Sequence, residues 1–187
     1  MMKILFVCTG NTCRSPMAQA ILQDRTNHQV QSAGIFAAAG QPSSEGTQTV
    51  LANHGIACSH QSQPVTPSLI EESDLVLTMT QGHRDVLKQQ YPSFEGKIYT
   101  LKEYADPQFQ QAWEQLKAAY VRLEELKAAD PEAGPAMQQK INELEQIVQN
   151  VDIADPFGGD IMTYQQIYEE INNYLELLVK KLDNKNR

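Results

Sequence analysis

Apolar and polar positions change period several times along the chain, and each change marks an element. Lys3–Val7 is a short apolar run that ends in a polar turn, the signature of a buried strand. Ser15–Arg25 follows as a helix, with Pro16 in its first turn, where a missing N–H costs nothing. Gln29–Ala33 predicts a second strand and Ser43–His54 a helix, with Gly55 suited to a left-handed C-terminal cap. Asp74–Met79 predicts a third strand, Gly82–Gln90 a helix and Lys97–Leu101 a fourth strand. The chain then closes on a long amphipathic helix over Ile161–Leu182. Strands alternating with helices imply a parallel sheet covered on both faces. Ligands of such sheets bind beyond the C-terminal strand ends.

One stretch breaks this rhythm. Between Tyr104 and Asp155 no strand-like run occurs. Phe109, Trp113, Leu116, Tyr120, Leu123 and Leu126 recur at three- and four-residue steps, and Met137, Ile141, Leu144, Val148 and Val151 form a second such set. Asp130-Pro131 and Gly134-Pro135 between them should stop a helix. The prediction is a helical hairpin at about 106–151. Over Ala105–Ala154 nine acidic residues face four basic ones, so this segment carries −5 of the formal −8.

That charge changes the functional picture. Phosphate backbones are bound by Lys and Arg, so a chain at −8 is not suited to general nucleic-acid binding. Any phosphate site must make its own local positive field. No apolar run has the length of a membrane span, and Ile4–Val7 is too short for a signal-peptide core, so a cytoplasmic location is expected. Three cysteines, Cys8, Cys13 and Cys58, argue against a disulfide framework, and their spacing argues against a structural zinc site. Cys58 reads as structural.

The segment Cys8-Thr9-Gly10-Asn11-Thr12-Cys13-Arg14-Ser15 lies between a strand and a helix. Backbone N–H groups in such a turn form an anion nest, and Gly10 tolerates angles that other residues resist. Arg14 can hold two phosphate oxygens with its planar fork. The same N–H groups and charge stabilise a Cys8 thiolate, which lies in line to attack a bound phosphoryl group. An isolated C-x5-R match is as often a buried cysteine before a capping loop. The preceding strand, Gly10 and Ser15-Pro16 supply the context that a working motif needs. No Walker-type G-x4-G-K-[ST] sequence occurs.

V-C-T-G-N-T-C-R-S-P-M-A resembles the signature loop of the low-molecular-weight protein tyrosine phosphatases. The likeness continues through Ser32-Ala33-Gly34, His54-Gly55-Ile56, Ser59-His60 and Asp74–Met79 to Asp155-Pro156-Phe157-Gly158-Gly159. It covers nearly the whole chain except the hairpin, which that family does not usually carry. The resemblance implies a flavodoxin-like α/β fold, a four-stranded parallel sheet with helices on both faces in one domain spanning 1–187. It implies a cysteine-dependent phosphatase that needs no cofactor or metal and acts on phosphorylated proteins. Cys8 would be the nucleophile, Arg14 the phosphate clamp and Asp155 the general acid. Asp106-Pro107 and Asp130-Pro131 show how common the bare Asp-Pro dipeptide is; Phe157-Gly158-Gly159 singles out Asp155. Thr9, Gly10, Asn11, Thr12, Cys13, Arg14 and Ser15 would line the phosphate. Asn11, Ser15, Ser32 and His60 would support the loop, and Cys13 would trap an oxidised Cys8.

Tyrosine phosphatases of this family usually carry a bulky aliphatic residue at Thr12 and often an aromatic pair where this chain has Phe157-Gly158. Thr12 with D-P-F-G-G resembles bacterial protein-arginine phosphatases, which makes Thr12 and Phe157 the specificity candidates and phosphoarginine the expected substrate. The alternatives are a phosphotyrosine phosphatase, a thioredoxin-coupled arsenate reductase and a non-catalytic phosphoprotein-binding module. Residues 80–95 lack the cysteine pair that an arsenate reductase of this type would carry there, and keeping Cys8, Arg14 and Asp155 together argues against the binding module. The hairpin reads as a surface element or as a docking site for a protein partner.

Overall fold

The computed structural model describes residues 1–129 and 134–185. Four parallel strands, β1 (Lys3–Cys8), β2 (Gln29–Gly34), β3 (Leu75–Thr78) and β4 (Ile98–Thr100), form one sheet in the order β2-β1-β3-β4. β1 pairs with β2 from Lys3↔Gln29 to Cys8↔Gly34 and with β3 from Ile4↔Leu75 to Val7↔Thr78. The chain therefore leaves β1 toward one edge and returns to build the other. The turn after Cys8 stands at this topological switch, where open parallel sheets take their ligands.

Side chains of β1 alternate between two cores, as strand geometry demands. Ile4, Phe6 and Cys8 join the core with α1 (Arg14–Arg25), α2 (Glu45–Asn53), α5 (Leu101–Ala105) and α8 (Ile161–Lys185). Leu5 and Val7 face Ile70 of α3 (Pro67–Glu72) and Leu87 of α4 (Gln81–Gln90) on the opposite face. Ile4, Leu5, Phe6 and Val7 are no more than 1% exposed, so the run is apolar because both sheet faces are covered. No helix among the described residues is long and apolar enough to cross a membrane.

Four of the helices begin where hydroxyl side chains cap them. Ser44, Thr66, Thr80 and Thr100 each accept a backbone N–H at the start of α2, α3, α4 and α5. Two elements depart from the sequence expectation for this reason. Thr100 and Glu103 form a capping box, so the fourth strand stops at Thr100 and Leu101 opens a helix instead of ending the strand. Pro67–Glu72, to which the sequence pattern assigned no element, is helical behind the Thr66 cap. The second helix begins at Glu45 behind Ser44, later than the predicted Ser43, and Gly55 takes φ 70 just beyond its end.

The hairpin segment forms α6 (Pro107–Ala129) and α7 (Gly134–Gln149); the predicted Asp130-Pro131 break lies outside the described residues. Its core is Ala112, Leu116, Ala119 and Leu123 against Ile141 and Leu144, separate from both sheet cores. Trp113 and Tyr120, expected in the apolar stripe, are 47% and 44% exposed, and alanines take the seam instead. Small residues let the two helices approach closely, and the aromatics turn outward. Val151, assigned by periodicity to the second helix, lies in the loop beyond α7 and is buried there. Replacing residues 107–149 with a short Gly/Ser linker is expected to leave one cooperative thermal transition and a retained far-UV signal from the sheet and its helices. Loss of cooperativity would show that the third core is integral to the other two.

Candidate active site

α1 differs from its neighbours in having no side-chain cap: Cys13 at its N-cap position makes none. Its first-turn N–H groups are therefore left to a ligand at the turn after Cys8, where they and the helix dipole favour an anion.

Asn11 holds this turn open. It is fully buried and takes φ 57, a left-handed conformation that Asn tolerates because its side chain bonds locally. Its Nδ2 donates to Ser15 Oγ and to Ser32 Oγ, both at 2.9 Å, and its Oδ1 accepts the Gln63 N–H at 2.9 Å. His60 Nε2 lies 2.7 Å from the Asn11 carbonyl. A carbonyl only accepts, so Nε2 carries the proton. Burial lowers the His60 pKa, and the hydrogen bond to the Asn11 carbonyl opposes it in part.

Ser15 Oγ accepts from Asn11 and lies 2.9 Å from Cys8 Sγ, so its own proton is available to a Cys8 thiolate, which can only accept. Cys8 and Ser15 are both buried at the base of the turn. Arg14, 4% exposed, reaches across to the loop after α7: Nη1 donates to the Ile153 carbonyl at 2.8 Å and Nη2 pairs with Asp155 Oδ2 at 3.1 Å. Asp155 is half exposed, and its other oxygen accepts the Phe157 N–H at 3.1 Å. Phe157 is 76% exposed, and Gly158 takes φ 77 to turn the loop back. The loop is tied to the sheet by Ile153 N–H donating to the Met79 carbonyl at 2.8 Å.

The candidate residues of the turn, Ser32, His60 and Asp155 thus come together at the C-terminal end of β1, whereas Cys58 is half-buried near Ser43. Thr12 is half-buried on the turn, with Oγ1 3.7 Å from Cys13 Sγ. Cys13 is a free thiol, donating to Ser44 Oγ at 3.3 Å and 3.5 Å from the Tyr164 hydroxyl. Burial is the main cause raising the Tyr164 pKa, and its contact with Cys13 adds to it.

Sequence reasoning missed Tyr164, Gln63 and His83. Tyr164 lies on the buried side of the last helix, and nothing in periodicity separates a core tyrosine from one at a site. His83 Nε2 stands 2.8 Å from Thr9 Oγ1 in the phosphate turn. Its position in the first turn after the third strand was a usable signal, since that end of a parallel sheet faces the ligand.

Comparison with known proteins agrees with this geometry. Residues 3–118 match the family model described as low molecular weight phosphotyrosine protein phosphatase, and the chain belongs to that family. It is 33% identical over 182 residues to a protein-arginine-phosphatase of Geobacillus stearothermophilus, covering 96% of this chain and 95% of that one. It is 39% identical over 104 residues to the low molecular weight protein-tyrosine-phosphatase PtpB of Staphylococcus aureus, covering 55% of this chain and 73% of that one. Among solved structures it resembles a cysteine-to-serine mutant of the YwlE arginine phosphatase with a phosphorylated active-site serine. The TM-score is 0.72 at 32% identity, covering 97% of this chain and 96% of that one.

Gly34 limits how the turn can be built. A Cβ there would lie 2.5 Å from the Thr9 carbonyl oxygen and 2.9 Å from the Asn11 nitrogen, both backbone atoms with little room to move. Gly34→Ala is expected to cost about 1–3 kcal/mol, the scale of overpacking, and to weaken binding of inorganic phosphate or vanadate by displacing the turn. Chemical denaturation and an oxyanion titration check this; unchanged oxyanion affinity would show that the turn does not depend on the close approach.

Proposed function

We propose that this protein is a cysteine-dependent protein phosphatase that hydrolyses phosphoarginine through a phosphocysteine intermediate. The observation that carries the reading is the Ser15–Cys8 hydrogen bond beneath an uncapped helix start, with Arg14 and Asp155 paired above it.

The Cys8 thiolate attacks phosphorus while the turn's N–H groups and Arg14 hold the phosphoryl oxygens. The S–P bond forms as the P–N bond breaks, and Asp155 delivers its proton to the departing guanidino nitrogen. Arg14 must change partner for this: paired with Asp155 in the present structure, it turns to the phosphoryl group. Asp155, now a carboxylate, takes a proton from water as the water oxygen attacks phosphorus. The P–S bond breaks, Ser15 donates to the departing thiolate, and inorganic phosphate leaves. Asn11, Ser32 and His60 keep the turn in shape throughout.

The phosphoarginine preference rests on the near-full-length likeness to a protein-arginine-phosphatase and on Thr12. Phosphotyrosine is the second reading, favoured by the higher identity to PtpB over a shorter stretch. A phenol ring gains from apolar contact beside the loop, whereas a guanidinium gains from a polar one, with Phe157 as a further wall for either. The substrate is a phosphorylated protein. One domain over 1–187 carries the catalysis, and the hairpin is a surface element on which exposed Trp113 offers a contact to a protein partner. We place the protein in the cytoplasm, where a free thiol such as Cys8 persists.

Two measurements test this. Thr12→Ile is expected to lower kcat/KM for a phosphoarginine peptide and raise it for the phosphotyrosine analogue. Their ratio should move by at least about tenfold, since pocket contacts of this kind are worth about 1–3 kcal/mol; an unmoved ratio means that Thr12 does not read the substrate. Asp155→Asn is expected to cost about 10²-fold or more on poor leaving groups and much less on an aryl phosphate with an acidic phenol. Equal losses across the series would remove Asp155 from the acid role.

A further inference from the structure

His83 lies outside the signature and outside the steps above. It sits in the first turn of α4, with its backbone N–H on Thr80 Oγ1 at 3.2 Å and its Nε2 2.8 Å from Thr9 Oγ1. Thr9 directly follows Cys8, and its side chain is exposed. The backbone of Thr9 is held from the other side, where its carbonyl accepts the Phe36 N–H at 2.9 Å. The acid loop is anchored to the same end of α4: Gln81 N–H donates to Asp152 Oδ1 at 2.7 Å, and Met79 holds Ile153. The ring feels the charges of Arg14, Asp152 and Asp155. His83 therefore stands between the turn after Cys8 and the loop that carries Asp152 and Asp155.

Burial, reinforced by the positive charge of Arg14, lowers the His83 pKa to about 4 against the opposing pull of Asp152 and Asp155, so the ring is neutral at neutral pH. A neutral imidazole carries one proton on two nitrogens. Nδ1 is buried without a partner, which leaves Nε2 to meet Thr9. With the proton on Nε2, the ring donates to Oγ1; with the proton on Nδ1, the Thr9 hydroxyl donates to Nε2. In both tautomers Oγ1 keeps at least one free lone pair, and its side-chain rotamer is fixed. A guanidino group offers N–H donors, whereas a phenolic ester oxygen offers none. A charged imidazolium here would repel a guanidinium; the neutral ring does not.

We propose that His83 is a positioning residue for substrate choice, holding the Thr9 hydroxyl on the leaving-group side of the turn so that Oγ1 accepts an N–H from the guanidino group of phosphoarginine. This rests on the phosphoarginine reading given above.

The test is kcat/KM on phosphoarginine and phosphotyrosine peptides of one sequence, for wild type, His83→Phe, Thr9→Ala and the double variant. His83→Phe keeps an aromatic ring and removes both nitrogens. It is expected to lower the arginine-to-tyrosine ratio by at least about tenfold, the scale of one lost hydrogen bond to a charged group. Thr9→Ala, an exposed position outside the core, moves the ratio the same way, and the double variant moves it no further. Parallel losses on both substrates, or losses that multiply in the double variant, overturn the proposal. Should His83→Phe fail to fold, His83→Asn takes its place in the cycle with the same expected direction. A wild type that does not cleave phosphoarginine sinks the substrate reading and the His83 role together. A wild type that prefers phosphoarginine, with a ratio that the His83 variants leave unmoved, sinks the His83 role alone.

Discussion

The buried side chain of Asn11 is the constraint on which the site depends. A loop that offers its N–H groups to an anion gives up the hydrogen bonds those groups would make within the protein, and it needs another source of rigidity. Asn11 supplies it by bonding Ser15, Ser32 and Gln63 from one amide while its carbonyl is held by His60. The partners come from α1, β2 and the segment after α2, so the turn inherits the stiffness of the sheet and its covering helices. The left-handed backbone at Asn11 is tolerated because the network over-determines it. Preorganisation of this kind lets donors meet developing charge without reorganising at the moment of reaction.

The same network gives direction to the chemistry. With Asn11 donating to Ser15, the Ser15 proton is available to a thiolate at Cys8, the nucleophile of the proposed mechanism. At the opposite side of the turn, in the mechanism we propose, the Arg14–Asp155 pair would couple phosphate capture to proton delivery, since Nη2 leaves Asp155 as it turns to the phosphoryl group. Arg14 also grips the Ile153 carbonyl, so the acid loop stays in reach while its carboxylate is freed. Only one side of Asp155 is held by the loop itself, through Phe157, which leaves the other to move between Arg14 and a leaving group.

How much of this was legible in the sequence follows from the range of the interactions. The β1-turn-α1 unit was readable because the hydrophobic period changes within a few residues and Pro16 marks the helix start. Asp155 was singled out by its Phe157-Gly158-Gly159 sequel, and the structure sets it beside Arg14. The helix after β4 was not, because Leu101 continues an apolar run and the capping box at Thr100 and Glu103 overrides it. The hairpin's existence was legible in its period but its inner face was not: Ala112 and Ala119 fill the seam, while the larger Trp113 and Tyr120 face outward. His83 escaped because its role depends on a partner 74 positions away. A lone histidine on a polar helix carries no periodic signal.

The central claim is that Cys8 carries the phosphoryl group during turnover. Acid quenching of the wild-type protein early in its reaction with a phosphoarginine peptide, followed by intact-mass measurement and peptide mapping, tests it most directly. The account predicts a single phosphoryl adduct, on Cys8, that appears within the first turnover and disappears as substrate is exhausted. Turnover with no adduct at Cys8 when sampled across that first cycle, or an adduct on another residue, would contradict it.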